Sequence, residues 1–178
     1  MNRPTSIALS TIACLGFGLA HTGTAAAQTA DDLVGAWTVT SVDTVRPDGG
    51  RSPTFGANPK GSVMFDGSGR YSIIIVRSDL PKFAAANRIQ GTPDENKAVV
   101  QGSLSLFGDY SVAGKIVTLK IDGASYPNWN GGDQPRTVTS FTNDEIKWSN
   151  PAGSGGGIVE LTARRVKAST RQNLNLGQ

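Results

Sequence analysis

One cysteine, Cys14, and one histidine, His21, are all that the 178 residues hold of those two types. Both fall in an N-terminal stretch with the three-part plan of a secretory leader. Met1-Asn2-Arg3 is basic, Ser6 to Ala20 is an apolar run, and Ala25-Ala26-Ala27 offers a small-residue cleavage site. The expected organisation is therefore a signal peptide over residues 1–27, one domain over 28–167, and a polar tail over 168–178. The apolar run is too short and too weakly flanked for a stable transmembrane anchor. Lipidation at Cys14 is disfavoured, because Thr11 stands three residues before it and the apolar run continues past it. Once the leader is gone, no thiol, disulfide or imidazole remains. Ser-His-Asp and Cys-His catalysis and histidine-based metal sites are excluded with them. No catalytic residue, metal or cofactor is assigned on this basis.

A basic surface is missing too. Loss of Arg3 leaves 16 Lys+Arg against 14 Asp+Glu. The basic residues are scattered, apart from Arg164-Arg165 with Lys167, and no basic stripe interleaves with aromatics. Nucleic acid is not an expected partner.

What the chain does have is alternation. In Leu33 to Val42, Trp37 and Val39 share one face and Thr38 and Thr40 the other, the period of a half-buried strand. Ser62 to Asp66 and Tyr71 to Arg77 form a hairpin across Asp66-Gly67-Ser68-Gly69. Tyr71, Ile73 and Ile75 share one face of the second arm. Ile74 and Val76 make the other face apolar as well, so a cover over it is expected from the segment Ser78 to Leu106. Period two returns in Phe107 to Val112, Lys115 to Ile121, Arg136 to Thr142, Glu145 to Trp148 and Ile158 to Val166.

Between the third and fourth strands, Thr92-Pro93-Asp94-Glu95 reads as a helix start. It has an N-cap threonine, proline at the first helical position and a glutamate that completes a capping box. The helix is expected to run to about Ser103, after a short helical turn at Leu80 to Ala86. Asp43 to Gly61 and Asp122 to Asp133 read as loops, and Pro151 to Gly157 as a flexible connection.

Eight sequential antiparallel strands fit an all-β, up-and-down barrel with a short helical insertion; a two-sheet sandwich is the alternative. An eight-stranded barrel is either filled by its own side chains or holds one small ligand.

Several motifs carry a resemblance to a known family. They are Gly35-Ala36-Trp37 with a basic residue on the last strand, Leu80-Pro81-Lys82-Phe83, Gly91-Thr92-Pro93 and Phe107-Gly108-Asp109-Tyr110-Ser111-Val112. Pro127-Asn128-Trp129, Gly131 and Arg136 extend it. From Asp32 to Lys167 the chain resembles the bacterial and fungal lipocalin-like domain family of the calycin superfamily. That resemblance implies an eight-stranded barrel and the binding of a small apolar molecule. The chain departs from a common family form that carries histidine on the fifth strand, here Val117-Thr118-Leu119-Lys120-Ile121, so no histidine-dependent role carries over.

Parity on the last strand turns Val159, Leu161, Ala163 and Arg165 inward with Trp37. Stacking of Arg165 on the indole, about 0.5 to 2 kcal/mol, makes this pair a structural closure of one end. The ligand-facing set by parity is Phe65, Tyr71, Ile73, Tyr110, Val138 and Trp148, an apolar wall with a few hydroxyls. Trp129 in its loop and inward Arg136 join them as candidate ligand contacts. A buried arginine needs a partner, and Asp109, Asp122 and Asp133 are candidates for a structural ion pair. Three functions stay open. They are a secreted or periplasmic barrel that carries a small hydrophobic or amphipathic molecule, a lipocalin-fold isomerase or cyclase, and a filled barrel with a protein-interaction or envelope role. Any pocket is expected at the end away from Trp37, beneath Asp43 to Gly61.

Overall fold

The computed structural model describes residues 29–167. The expected leader and polar tail lie outside these residues. A single turn of helix, α1 (Ala30–Leu33), precedes nine strands: β1 (Gly35–Val45), β2 (Arg51–Pro53), β3 (Lys60–Phe65), β4 (Arg70–Val76), β5 (Ser103–Ala113), β6 (Ile116–Ala124), β7 (Asp133–Phe141), β8 (Glu145–Asn150) and β9 (Ile158–Arg165). Helix α2 (Pro93–Gly102) lies between β4 and β5. Each strand from β3 onward pairs antiparallel with the next, and β1 pairs with both β3 and β9. The result is the expected closed eight-stranded barrel. Closure leaves no long unpaired edge.

The ninth strand is an addition within the expected Asp43–Gly61 loop. β1 is long enough for its outer half to pair with β2 through Asp43↔Pro53 and Val45↔Arg51, while its inner half pairs with β3. That loop is correspondingly shorter than the sequence implies. Helix α2 carries the expected capping box: the Thr92 hydroxyl accepts from the Glu95 N–H and the Glu95 carboxylate accepts from the Thr92 N–H. No helical turn forms at Leu80 to Ala86: Leu80 to Phe83 is irregular, and a tight turn follows in which the Ala86 N–H donates to the Phe83 carbonyl. Nor does the insertion cover the outer face of β4, where Ile74 remains 52% exposed. It is tied back at its base, where the Arg77 N–H donates to the Gly102 carbonyl.

Three register shifts interrupt the ladders, between Val39 and Ser41, Phe107 and Gly108, and Val138 and Ser140. At the second, the closeness of the facing strand requires glycine, because a Cβ on Gly108 would sit 1.9 Å from the Lys120 carbonyl oxygen. At the first, the extra residue lets Val39 and Val42 both point inward.

One end of the barrel, the foot, is sealed. Trp37 is fully buried and its indole N–H donates to the Leu33 carbonyl at 2.9 Å. The Arg165 guanidinium lies 3.9 Å from the indole centroid. Its Nε, Nη1 and Nη2 donate to the carbonyls of Asn143, Val34 and Asp32 at 2.7, 2.7 and 2.6 Å. Gly35 makes room for this arrangement: its φ is +129° and a Cβ there would lie 3.2 Å from Arg165 Nη1. Above the plug, Phe65 meets Tyr110 and Trp148 edge-on at 4.8 and 6.2 Å between ring centroids. The lower half of the barrel is thus filled with aromatic side chains. Outside, Arg70 clamps Asp109 and Asp122 at 2.9 and 2.6 Å and links β4, β5 and β6.

Candidate functional site

At the opposite end, the mouth, the core stops short of the rim. A cavity of about 580 Å³ opens there, measured to the surrounding atoms with its opening to solvent included. The enclosed part of it is small, about 70 Å³. Its wall comes from inward positions of the strands: Val42 and Thr44 on β1, Ile73 and Ile75 on β4, Leu104 and Leu106 on β5, Trp148 and Asn150 on β8, and Val159 and Leu161 on β9.

Two connections close over it. Thr54 and Phe55, just after β2, lean in from one side. The Thr54 N–H donates to the Val42 carbonyl at 2.8 Å, and its hydroxyl lies 2.9 Å from that of Thr44. Phe55 is thereby held 95% buried. Gly153, Ser154 and Gly155 lean in from the β8–β9 connection. Asn150 shapes this connection by accepting from the Ala152 N–H and donating to the Ala152 carbonyl. The β1–β2 edge is bound to β9 on the outside, where Arg51 pairs with Glu160 and lies 3.6 Å from Asp43.

Trp129 enters from a third connection, a 3₁₀ turn over Pro127–Trp129. Backbone bonds between Ile121 and Gly131 and Gly132 fix the turn on β6, and the Asn130 amide oxygen accepts from the Ala124 N–H. Trp129 meets Tyr126 edge-on at 5.5 Å and reaches the cavity wall. Pro127 and the two glycines after Trp129 set the turn that aims this indole.

Arg136, on β7, is the only charged residue in the cavity wall among the described residues. It is 96% buried. None of Asp109, Asp122 and Asp133 is within ion-pair distance of it, and among the described residues no carboxylate is. Asp109 and Asp122 are outside the barrel on Arg70, because their neighbours Tyr110 and Ile121 take the inward positions. Arg136 Nη1 donates to the Gln134 amide oxygen at 3.3 Å and to the Pro135 carbonyl at 3.0 Å. Its guanidinium carbon is 5.9 Å from the Trp129 ring centroid. Burial pulls the guanidinium pKa down to about 10, with the nearby Tyr71 acting the other way.

Of the sequence-derived candidates, Ile73, Trp129, Arg136 and Trp148 meet at the cavity. Phe65, Tyr71, Tyr110 and Val138 are buried in the core and do not line it. The Tyr110 hydroxyl donates to the Asp66 carbonyl at 3.0 Å. The Tyr71 hydroxyl is buried with no hydrogen-bond partner among the described residues, and burial raises its pKa well above the usual phenol range. Missed from the sequence were Val42, Thr44, Phe55, Ile75, Leu104, Leu106, Asn150 and the Gly153–Gly155 segment. For Ile75 the signal was present, since it shares a face with Tyr71 and Ile73. Among the described residues no group of three His, Cys, Asp or Glu side chains is placed to hold a metal ion, and no helix is long and apolar enough to cross a membrane.

The sequence model of a lipocalin-like domain matches residues 34–166. Among solved structures, a lipocalin-like protein from Bacteroides uniformis is 17% identical, with 76% of this chain and 99% of that chain covered and a TM-score of 0.44. A de novo designed fluorescence-activating β-barrel is 15% identical, with 77% and 96% covered and a TM-score of 0.40. The redesigned barrel mFAP1, solved with DFHBI bound, is 17% identical, with 77% and 98% covered and a TM-score of 0.38. No curated protein matches the chain.

Proposed function

The chain belongs to the lipocalin-like domain family, and from that premise we propose that it binds or carries a small hydrophobic or amphipathic molecule in the cavity at its mouth. The observation that carries this reading is the division of the barrel interior. The foot is sealed by Trp37 and Arg165, whereas the mouth keeps an opening walled mainly by Ile, Leu, Val, Phe and Trp. Apolar walls with few, placed polar groups are what a small-molecule site needs. Among the described residues the wall contains no carboxylate and no tyrosine to serve as an acid or base. This favours the carrier over the isomerase or cyclase reading. The leader-like N-terminus adds a secreted or periplasmic setting to the proposal.

Native mass spectrometry of protein purified from its source organism tests it. A co-purifying small molecule is expected. So is a change in tryptophan emission on adding an apolar ligand, since Trp129 and Trp148 both face the cavity. Protein that carries nothing and whose fluorescence ignores a panel of fatty acids and retinoids would sink the proposal.

A further inference from the structure

The chemistry of the cavity wall narrows the class of ligand, an inference that rests on the carrier reading above. Arg136 brings a full positive charge into an apolar wall, 96% buried and without an acid among the described residues. An unpaired charge in such a place is costly. Its hydrogen bonds sharpen the point. Only Nη1 is engaged by the protein, through the Gln134 side chain and the Pro135 carbonyl. The Nε–H and the two Nη2–H donors have no protein acceptor among the described residues. Those donors form the edge of a guanidinium that grips two oxygens at once.

A second polar group without a partner among the described residues lies below the cavity. Tyr71 is the next inward residue below Ile73 on β4, and its hydroxyl is buried with no partner. Burial keeps the Tyr71 hydroxyl protonated, and the Arg136 charge acts on it in the opposite direction. Among the described residues the interior therefore holds one hydroxyl with no partner and one guanidinium only partly engaged.

We propose that the cavity takes a monocarboxylate with an apolar body, its carboxylate held by the free edge of Arg136 and its hydrocarbon lying against Ile73, Leu106, Trp129 and Trp148. One cation matches one negative charge. A dianion such as a phosphate monoester would bring a second charge into a wall with nothing to neutralise it. A neutral lipid of the same shape would leave the guanidinium unpaired. The preference for an acid over an alcohol thus comes from the arginine and not from the apolar wall.

The test uses octanoate and 1-octanol, matched in chain length, titrated into the purified protein with tryptophan fluorescence and calorimetry as readouts. Wild-type protein is expected to bind octanoate at least tenfold more tightly than octanol. Arg136→Met is expected to lose that preference, with octanoate weakened tenfold or more and octanol within about threefold of its wild-type affinity. Equal binding of the two ligands by wild-type protein overturns the assignment of a carboxylate but leaves the carrier reading intact. So does unchanged octanoate binding by Arg136→Met. No response to either ligand overturns both. If Arg136→Met does not fold, as judged by circular dichroism, Arg136→Lys decides. Charge without the two-pronged edge should weaken octanoate several-fold and leave octanol unchanged, and equal losses for both ligands overturn the proposal.

Discussion

The barrel contains two arginine–tryptophan pairs, one at each end, and they differ in how completely the protein satisfies the arginine. At the foot, all three nitrogens of Arg165 donate to backbone carbonyls and the guanidinium carbon lies over the Trp37 ring, 3.9 Å from its centroid. At the mouth, a single nitrogen of Arg136 is engaged and Trp129 is 5.9 Å away. The residue types are the same and both pairs link a strand arginine to an indole. The difference is saturation: a guanidinium with its donors spent holds the fold, and one with donors to spare is set for something outside it. Burial alone would mislead here, since the less satisfied arginine is the more deeply buried of the two.

The largest effect expected from breaking this contrast is at the foot. Trp37→Ala should cost about 3–5 kcal/mol, the range for large aromatic truncations in a core, measured by denaturant unfolding. Ligand affinity of the remaining folded protein should hold. Lost binding with an unchanged melting temperature would mean that the two ends are not functionally separate.

A pair of matched substitutions comes next. Arg165→Met should destabilise by about 2–3 kcal/mol, because three carbonyls lose a charged donor. Arg136→Met should leave the ligand-free melting temperature unchanged or raise it, since a poorly partnered buried charge is replaced by an apolar side chain of similar length. Similar losses at the two positions would erase the distinction. Gly35→Ala sharpens it further. A side chain at φ +129°, only 3.2 Å from Arg165 Nη1, should cost about 1–3 kcal/mol. Much of that loss should vanish in an Arg165→Met background, which a double-mutant cycle reads directly.

The foot was far more legible in the sequence than the mouth. Alternation along β1 and β9 placed Trp37 opposite Arg165 and not Arg164, and the structure pairs those two residues in register. The helix start at Thr92 was legible for a similar reason, because a capping box is a local signal that needs no tertiary context. The cavity wall is a different kind of object. The bulge between Val39 and Ser41 shifts the phase of β1, so a strict count of two loses Val42 and Thr44. Leu104 and Leu106 were read with the insertion, though α2 ends at Gly102 and the chain passes directly into β5. Phe55 and the Gly153–Gly155 segment reach the cavity through loop conformation, which has no period at all. The expected acidic partner for Arg136 was the one inference that the pattern itself argued against, since Tyr110 and Ile121 facing in require Asp109 and Asp122 to face out.

The Arg51–Glu160–Asp43 cluster outside the mouth has a consequence for exchange rates. Arg51 sits on β2, which leads into the Thr54–Phe55 cover, and Glu160 sits on β9, which follows the Gly153–Gly155 cover. The ion pair therefore crosses β1 and fastens the two covers to each other. All three groups are partly solvated, so the fastening is weak and is screened by salt. Arg51→Gln, or wild-type protein in concentrated salt, should release a bound apolar ligand about twofold faster in stopped-flow measurements. The barrel itself should melt where it did before. Identical release rates at low and high salt would show that the covers part elsewhere.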